Sequence, residues 1–340
     1  MSKIVDVTDI DIFYISFDEP NMEENWANLK NICPWAKRTH GVFGSDAAHK
    51  ACAEKSTTDR FISVDGDNIV NPKFFDTIID FTQSDVDLDT SVISWCGVNS
   101  INGLVYGNGG IKCWPVQYVL DMKTHEIAED EGSQVDFCWD LNYIQMNEAY
   151  SYVMNNATPY QAYRAGFREG VKMSLDRGYK VDPDNFEKSL HDKNFYRLLI
   201  WSNIGRDVEN GLWAMYGTRL GCYLTNLDPN FDYVNVRDFK WHTEYFDKEV
   251  APQFAGGNEH CVKSKYTWDK EKLLKETERL GSELRKKLNI PVAEIDEEGS
   301  KFHKKVYYNP PRSMLVTEKD DQGRIISVSY THLTLPTIYS

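Results

Sequence analysis

The chain has 340 residues, 41% of them hydrophobic and 13% aromatic, enough apolar content to fill the core of one large domain or two modest ones, so a disordered chain is excluded. Its formal charge of −14 argues against a general nucleic-acid binder, whose affinity comes largely from Lys and Arg displacing phosphate counterions. No apolar run approaches the ~18 residues of a membrane span and no basic-then-apolar leader opens the chain, which predicts a soluble cytoplasmic protein with no membrane partner and no obligate protein partner.

In chain order, Asp11 to Phe17 (DIFYISF) is an apolar, β-branched and aromatic run bounded by acids, the pattern of a buried strand. Asn21 to Ile32 follows with Met22, Trp26 and Leu29 at helical spacing. Cys33, Cys52, Cys96, Cys113, Cys138, Cys222 and Cys261 are scattered and never in C-x-x-C spacing, so they are expected to be reduced small hydrophobes. A short strand over Lys37 to Val42 leads to Ser45 or Asp46 as the cap of a helix over Ala47 to Glu54. Arg60 to Val64 (RFISV) is the third strand and ends at the turn Asp65-Gly66-Asp67-Asn68. Strands alternating with helices predict a largely parallel sheet with helices on both faces.

Ser91 to Val98 gives another strand, and Leu104 to Trp114 surrounds a glycine-rich bend, Gly107-Asn108-Gly109-Gly110. The acids Asp121, Glu126, Glu129, Asp130, Glu131, Asp136, Asp140 and Glu148 then face Lys123 alone. Beyond Tyr150 the pattern turns helical, with helices expected over Tyr160 to Arg177, ended by Gly178, and over Asn194 to Ala214. Val234 to Trp241 has the composition of a strand, Trp268 to Asn289 that of a charged amphipathic helix, and the stretch after Ile290 that of a peripheral wrapping. Val328 to Thr337 (VSYTHLTLPT) resembles a translated sequencing adapter, so it carries no functional weight; the alternative is a genuine edge strand.

Asp65-Gly66-Asp67 carries the chemistry because it follows an apolar strand at the carboxyl edge of the sheet, where open α/β folds place ligands. A bare D-x-D is common and is often a solvated turn. Here it joins a first strand with Asp18 at its end and a helix bearing His49 and Lys50. Hard carboxylate oxygens suit Mg²⁺ or Mn²⁺, and such a cation neutralises the charge that develops on a departing nucleoside diphosphate. Gly109 and Gly110 offer backbone N–H groups and close approach, with a tight hairpin turn as the alternative.

These segments have a family resemblance. DIFYISFDEP, KRTHGVFGSDAAHKACAE and RFISVDGDNIVNPKFF, and beyond them YGNGGIKCWP, TPYQAYRAGFREGVKMS and WHTEYF, resemble GT-A glycosyltransferases, particularly those of T-even-like tailed phages, over roughly residues 10 to 250. The resemblance implies a Rossmann-like, mixed and mostly parallel sheet flanked by helices, with a helical insertion and a C-terminal helical extension. It implies a metal-dependent enzyme moving a sugar from a UDP-sugar, such as UDP-arabinose or UDP-glucose, to 5-hydroxymethylcytosine in double-stranded phage DNA within an infected bacterial cytoplasm. The corresponding division is a nucleotide-sugar-binding core over 1–150, a helical acceptor-side insertion over 151–225, and a return to the core with the metal segment over 226–260. A C-terminal helix and wrapping tail occupy 261–327, and 328–340 is non-native.

By the same resemblance Asp65 and Asp67 hold the metal and nucleotide, and His242 completes the metal shell, with His260 as its competitor. Ser16 and Asp18 belong beside the base or ribose, Lys37 or Arg38 near the uracil, and His49 and Lys50 near phosphate. A base is needed for direct displacement, and Asp136, a lone acid among apolar neighbours, comes before Asp140. Arg164, Arg168 and Lys172 share a helix face beside Tyr160, Tyr163 and Phe167, a pattern able to hold nucleic-acid phosphates and stack bases, with an ordinary amphipathic helix as the alternative. Three other readings stay open: a glycosyltransferase acting on a glycan, protein or lipid, a nucleotidyltransferase, which lacks its G-x-G-T-R-like loop here, and a noncatalytic sugar-nucleotide-binding module.

Overall fold

The structure, a computed structural model, describes residues 3–124, 127–129, 134–135, 142–255, 268–307, 315–319 and 325–330. In chain order the first part contains β1 (Ile4–Asp6), β2 (Asp11–Ser16), α1 (Met22–Ile32), β3 (Lys37–His40), α2 (Ser45–Lys55), β4 (Arg60–Asp65), β5 (Asn68–Val70), β6 (Ile78–Asp80), β7 (Val92–Asn99), β8 (Val105–Pro115) and β9 (Tyr143–Val153). The second part contains the helices α3 (Pro159–Met173), α4 (Asp192–Asn203), α5 (Gly211–Leu227), α6 (Phe239–Tyr245), α7 (Lys270–Leu288) and α8 (Glu297–Val306). A hairpin of β10 (Leu315–Lys319) and β11 (Ile325–Tyr330) follows, and Val328 lies in its second strand.

Seven strands form one mixed sheet in the order β3-β2-β4-β8-β7-β9-β5. Parallel pairings β2–β3, β2–β4 and β7–β9 stand against antiparallel β4–β8, β7–β8 and β5–β9. The expectation of a mostly parallel sheet is therefore corrected. The cause is the tight turn after β7, where the Asn99 and Asn102 side chains accept from Ile101 N and Leu104 N and send the chain straight back. The glycine-rich segment lies within β8 at a break in its register with β7, where residues 107–110 stand opposite Cys96 alone and Gly110 takes φ 92°.

Strand β4 is buried along nearly its whole length because both faces are covered. Ile62 and Val64 join Ile12 and Tyr14 in one core, and Phe61 joins Phe13, Cys52 and Trp114 in the other. Cys33, Cys52, Cys96, Cys113 and Cys222 are buried with free thiols.

The helical part turns on a close contact between α3 and α5. A Cβ at Gly166 or Gly170 would overlap the carbonyls of Ala214 and Thr218, and one at Gly217 or Gly221 would overlap those of Tyr163 and Phe167. Four glycines thus let two helix backbones touch, which fixes α3 in rotation as well as position. Tyr163 and Phe167 are directed into the core, and Arg164, Arg168 and Lys172 toward the sheet edge.

Three predicted elements differ. The helix expected over Asn194 to Ala214 is two helices, α4 and α5, separated by Gly205 (φ 151°) and the left-handed Asn210 (φ 59°). The helix from Tyr160 ends at Met173, before Gly178. The strand expected over Val234 to Trp241 is a 3-10 turn followed by α6, because the Asp238 carboxylate accepts from Lys240 N and Trp241 N and caps a helix there. Gly44, not Ser45 or Asp46, stands at the cap position of α2. No helix among the described residues is long and apolar enough to cross a membrane.

Candidate functional site

Strands β2 and β4 run parallel and end at the same edge, bringing Asp18 and Glu19 beside Asp65 and Asp67 at one end of a cleft of ≈ 380 Å³. Gly66 is needed for close approach: a Cβ there would meet Glu19 Oε2 at 2.7 Å and the Ile15 carbonyl at 3.0 Å. The turn is pinned from below, with Tyr14 Oη donating to the Gly66 carbonyl at 2.6 Å and Asn25 Nδ2 at 3.1 Å. Asn68 Nδ2 donates to Asp67 Oδ1 at 2.7 Å, and Gly110 (φ 92°) leaves the space that the Asn68 amide occupies.

Burial, and then the charges of Asp65 and Glu19, raise the Asp67 carboxyl from 3.8 to about 7, while Arg164 and the Asn68 hydrogen bond draw it down. Three carboxylates crowded together in this way favour a cation among them. Among the described residues no three His, Cys, Asp or Glu side chains form a ready-made metal centre. An ion held by one or two carboxylates and completed by water and substrate oxygens fits this donor set, as Mg²⁺ characteristically does.

The same cleft also carries cations. Lys112 comes from β8, on the face it shares with Gly110 and Trp114, and Arg164, Arg168 and Lys172 come from α3. Arg164 stacks on Phe239 with its guanidinium 4.8 Å from the ring centre, and Lys172 pairs with Glu169 at 3.4 Å. Ser16 and His49 also line the cleft; Ser16 Oγ accepts from Arg38 Nε at 3.0 Å, and His49 Nδ1 lies 2.8 Å from the Ser45 carbonyl. At the mouth Phe17 and Phe43 stand 41% and 66% exposed with ring centres 5.7 Å apart.

Several predicted residues lie elsewhere. His242 is buried against Phe167 and Trp241 with Nε2 3.0 Å from the Val236 carbonyl, a core histidine that does not line the cleft. Lys37, at the start of β3, pairs with Asp11 at 2.6 Å, away from the carboxyl edge. Arg38 pairs with Glu23 at 2.8 Å, and Lys50 with Asp46 at 2.9 Å; neither lines the cleft. Phe167 is fully buried in the helical core, and Tyr160 bonds Thr243 at 2.9 Å while packing on Phe246. Gly109 lies in β8 and Gly110 lines the cleft. Asp136, Asp140 and His260 fall outside the described residues.

Glu19, Lys112, Phe17 and Phe43 were missed. A lysine inside the apolar run Ile111 to Trp114, and phenylalanines just past the ends of strands, were the available signals. No family model, no curated protein and no solved structure matches the chain.

Proposed function

We propose that this protein is a metal-dependent glycosyltransferase of the GT-A type, moving a sugar from a UDP-sugar to a hydroxyl acceptor, with 5-hydroxymethylcytosine in DNA as the acceptor its family resemblance favours. One observation carries the reading: Asp65, Asp67 and Glu19 crowd their carboxylates at the shared carboxyl edge of β2 and β4, in a cleft of small-molecule size. The bound cation supplies charge neutralisation for the diphosphate as the sugar leaves. The chain's own part is to fix geometry. Tyr14 and Asn25 hold the turn through its central carbonyl, and Asn68 orients the Asp67 carboxylate. Ser16, Asp18 and the exposed Phe17 and Phe43 line the cleft and would suit a nucleoside.

The size of the cleft bears on how such an acceptor would enter. A cleft of ≈ 380 Å³ admits a sugar nucleotide but not a duplex, so a modified base would reach it only when turned out of the helix, at a cost of roughly a few kcal/mol. Incubation with UDP-sugars, Mn²⁺ or Mg²⁺, and hydroxymethylcytosine DNA beside glycan and protein acceptors, read by mass spectrometry, tests the reading. The expected result is a sugar adduct and free UDP, both lost in Asp65→Ala and Asp67→Ala. Turnover that persists in both variants after chelation would refute it; an adduct on a glycan or protein alone would move the acceptor assignment.

A further inference from the structure

The carboxylates leave the cations of the same cleft without a role. Lys112 is 7% exposed and its side chain opens into the cleft from the middle of β8. Arg164 faces the same space from α3, over the Phe239 ring and within electrostatic reach of Asp67. Neither has a hydrogen bond or ion pair from its charged group among the described residues. Lysines this deeply buried are almost always paired, because an isolated charge out of water is costly. Asp18, Glu19, Asp65, Asp67 and Glu169 all line this cleft, yet none closes on Lys112 or Arg164.

Both cations are also fixed in place. Lys112 sits in register between β4 and β7, opposite Ser63 and Ser94, and α3 is locked against α5 by glycine contacts. Among the described residues nothing supplies the counter-charge, which leaves a place for a bound anion. An anion of extended shape, carrying more than one oxygen, would meet the ammonium and the guanidinium together and still reach a cation at Asp65 and Asp67.

We infer that Lys112 and Arg164 form an anion-binding pair that receives the diphosphate of the donor, beside the cation that Asp65 and Asp67 would hold. This rests on the donor-site reading above and moves Arg164 from the acceptor side to the donor side. The two side chains divide the work by chemistry: the planar guanidinium presents paired N–H donors to two phosphate oxygens, and the ammonium acts as a compact point charge. Arg168 flanks them, and Lys172 is partly neutralised by Glu169.

Calorimetric titration of UDP, inorganic pyrophosphate and uridine in Mn²⁺ tests the inference with wild type, Lys112→Met, Arg164→Gln and an Asp65→Asn control. Methionine matches the lysine stem without the charge, so Lys112→Met is expected to raise the Tm of the ligand-free chain. Each variant is expected to lose about tenfold or more in affinity for UDP and pyrophosphate, the scale of one charged hydrogen bond, with uridine unchanged. Arg164→Gln lies on a half-exposed helix face and keeps the test decisive if Lys112→Met folds poorly.

UDP affinity at the wild-type level in both variants, with Mn²⁺-dependent binding still abolished by Asp65→Asn, overturns this inference and leaves the donor site standing. A wild-type chain that binds neither UDP nor pyrophosphate overturns both.

Discussion

His242 offers a test in which the magnitude follows from burial. It is 1% exposed, with Nε2 3.0 Å from the Val236 carbonyl, and it packs edge-on against Phe167. Burial first, and then the charges of Arg168 and Arg164, lower its pKa from 6.5 to about 3, with the Val236 hydrogen bond opposing. The unfolded chain therefore takes up a proton near pH 6.5 that the folded chain refuses until about pH 3. Stability from the neutral ring is complete above 6.5 and is lost as pH falls through this window. At about pH 4.5, roughly two pH units into it, the loss is about 3 kcal/mol at roughly 1.4 kcal/mol per unit. Urea unfolding of wild type and His242→Gln at neutral and acid pH measures the difference, since the glutamine amide retains a donor for the Val236 carbonyl. Wild type should lose about 3 kcal/mol more than the variant on acidification, and Mn²⁺ affinity should be the same in both. Parallel pH dependence would refute the burial argument, and loss of Mn²⁺ binding in His242→Gln would return the residue to the metal shell.

Three substitutions probe other contacts. Gly66→Ala drives a methyl against Glu19 Oε2 at 2.7 Å and the Ile15 carbonyl at 3.0 Å; a folding cost of about 1–3 kcal/mol should accompany weakened Mn²⁺ binding, both visible in a thermal-shift titration with the metal. Gly166→Ala overlaps the Ala214 carbonyl and must separate α3 from α5, which should lower urea stability by about 1–3 kcal/mol or more. Arg219, with 0% side-chain exposure, donates to the Ser202 and Thr277 carbonyls and pairs with Glu294 at 3.0 Å. Arg219→Ala should cost about 3–5 kcal/mol in the same assay and release the segment around Glu294 to protease.

The parallel half of the fold was legible because β2 and β4 are short apolar runs ending in acids, and each is followed by a turn that can be recognised locally. Strand β9 was not, since its inward residues Ile144 and Met146 alternate with polar ones and an acidic stretch precedes it. Val234, Val236, Phe239 and Trp241 have strand propensities, but the Asp238 cap outweighs them by satisfying two backbone N–H groups at the start of α6. At the site, the Asp65-Gly66-Asp67 turn could be found because its parts are adjacent in sequence. Glu19 and Lys112 belong to it only through strand order and register, and Arg164 only through the glycine contacts that set the rotation of α3. The same helix periodicity grouped Phe167 with Arg164, yet packing sends one into the core and the other into the cleft.

Charge at two ranges then bears on the acceptor. The chain carries −14 overall, so an anionic ligand approaching from solution meets repulsion until salt, with a screening length of about 10 Å at 0.1 M, reduces it. Inside the cleft Lys112 and Arg164 act at contact distance and partly out of water, where screening is weaker. Moderate salt should therefore speed donor association while leaving its affinity nearly constant. A duplex tracked along an outer basic surface behaves oppositely, losing affinity with a slope of about −0.9 per phosphate contacted. Since Arg164, Arg168 and Lys172 face the cleft, little of that slope can come from α3. A steep salt dependence for DNA would therefore require a basic surface other than this helix.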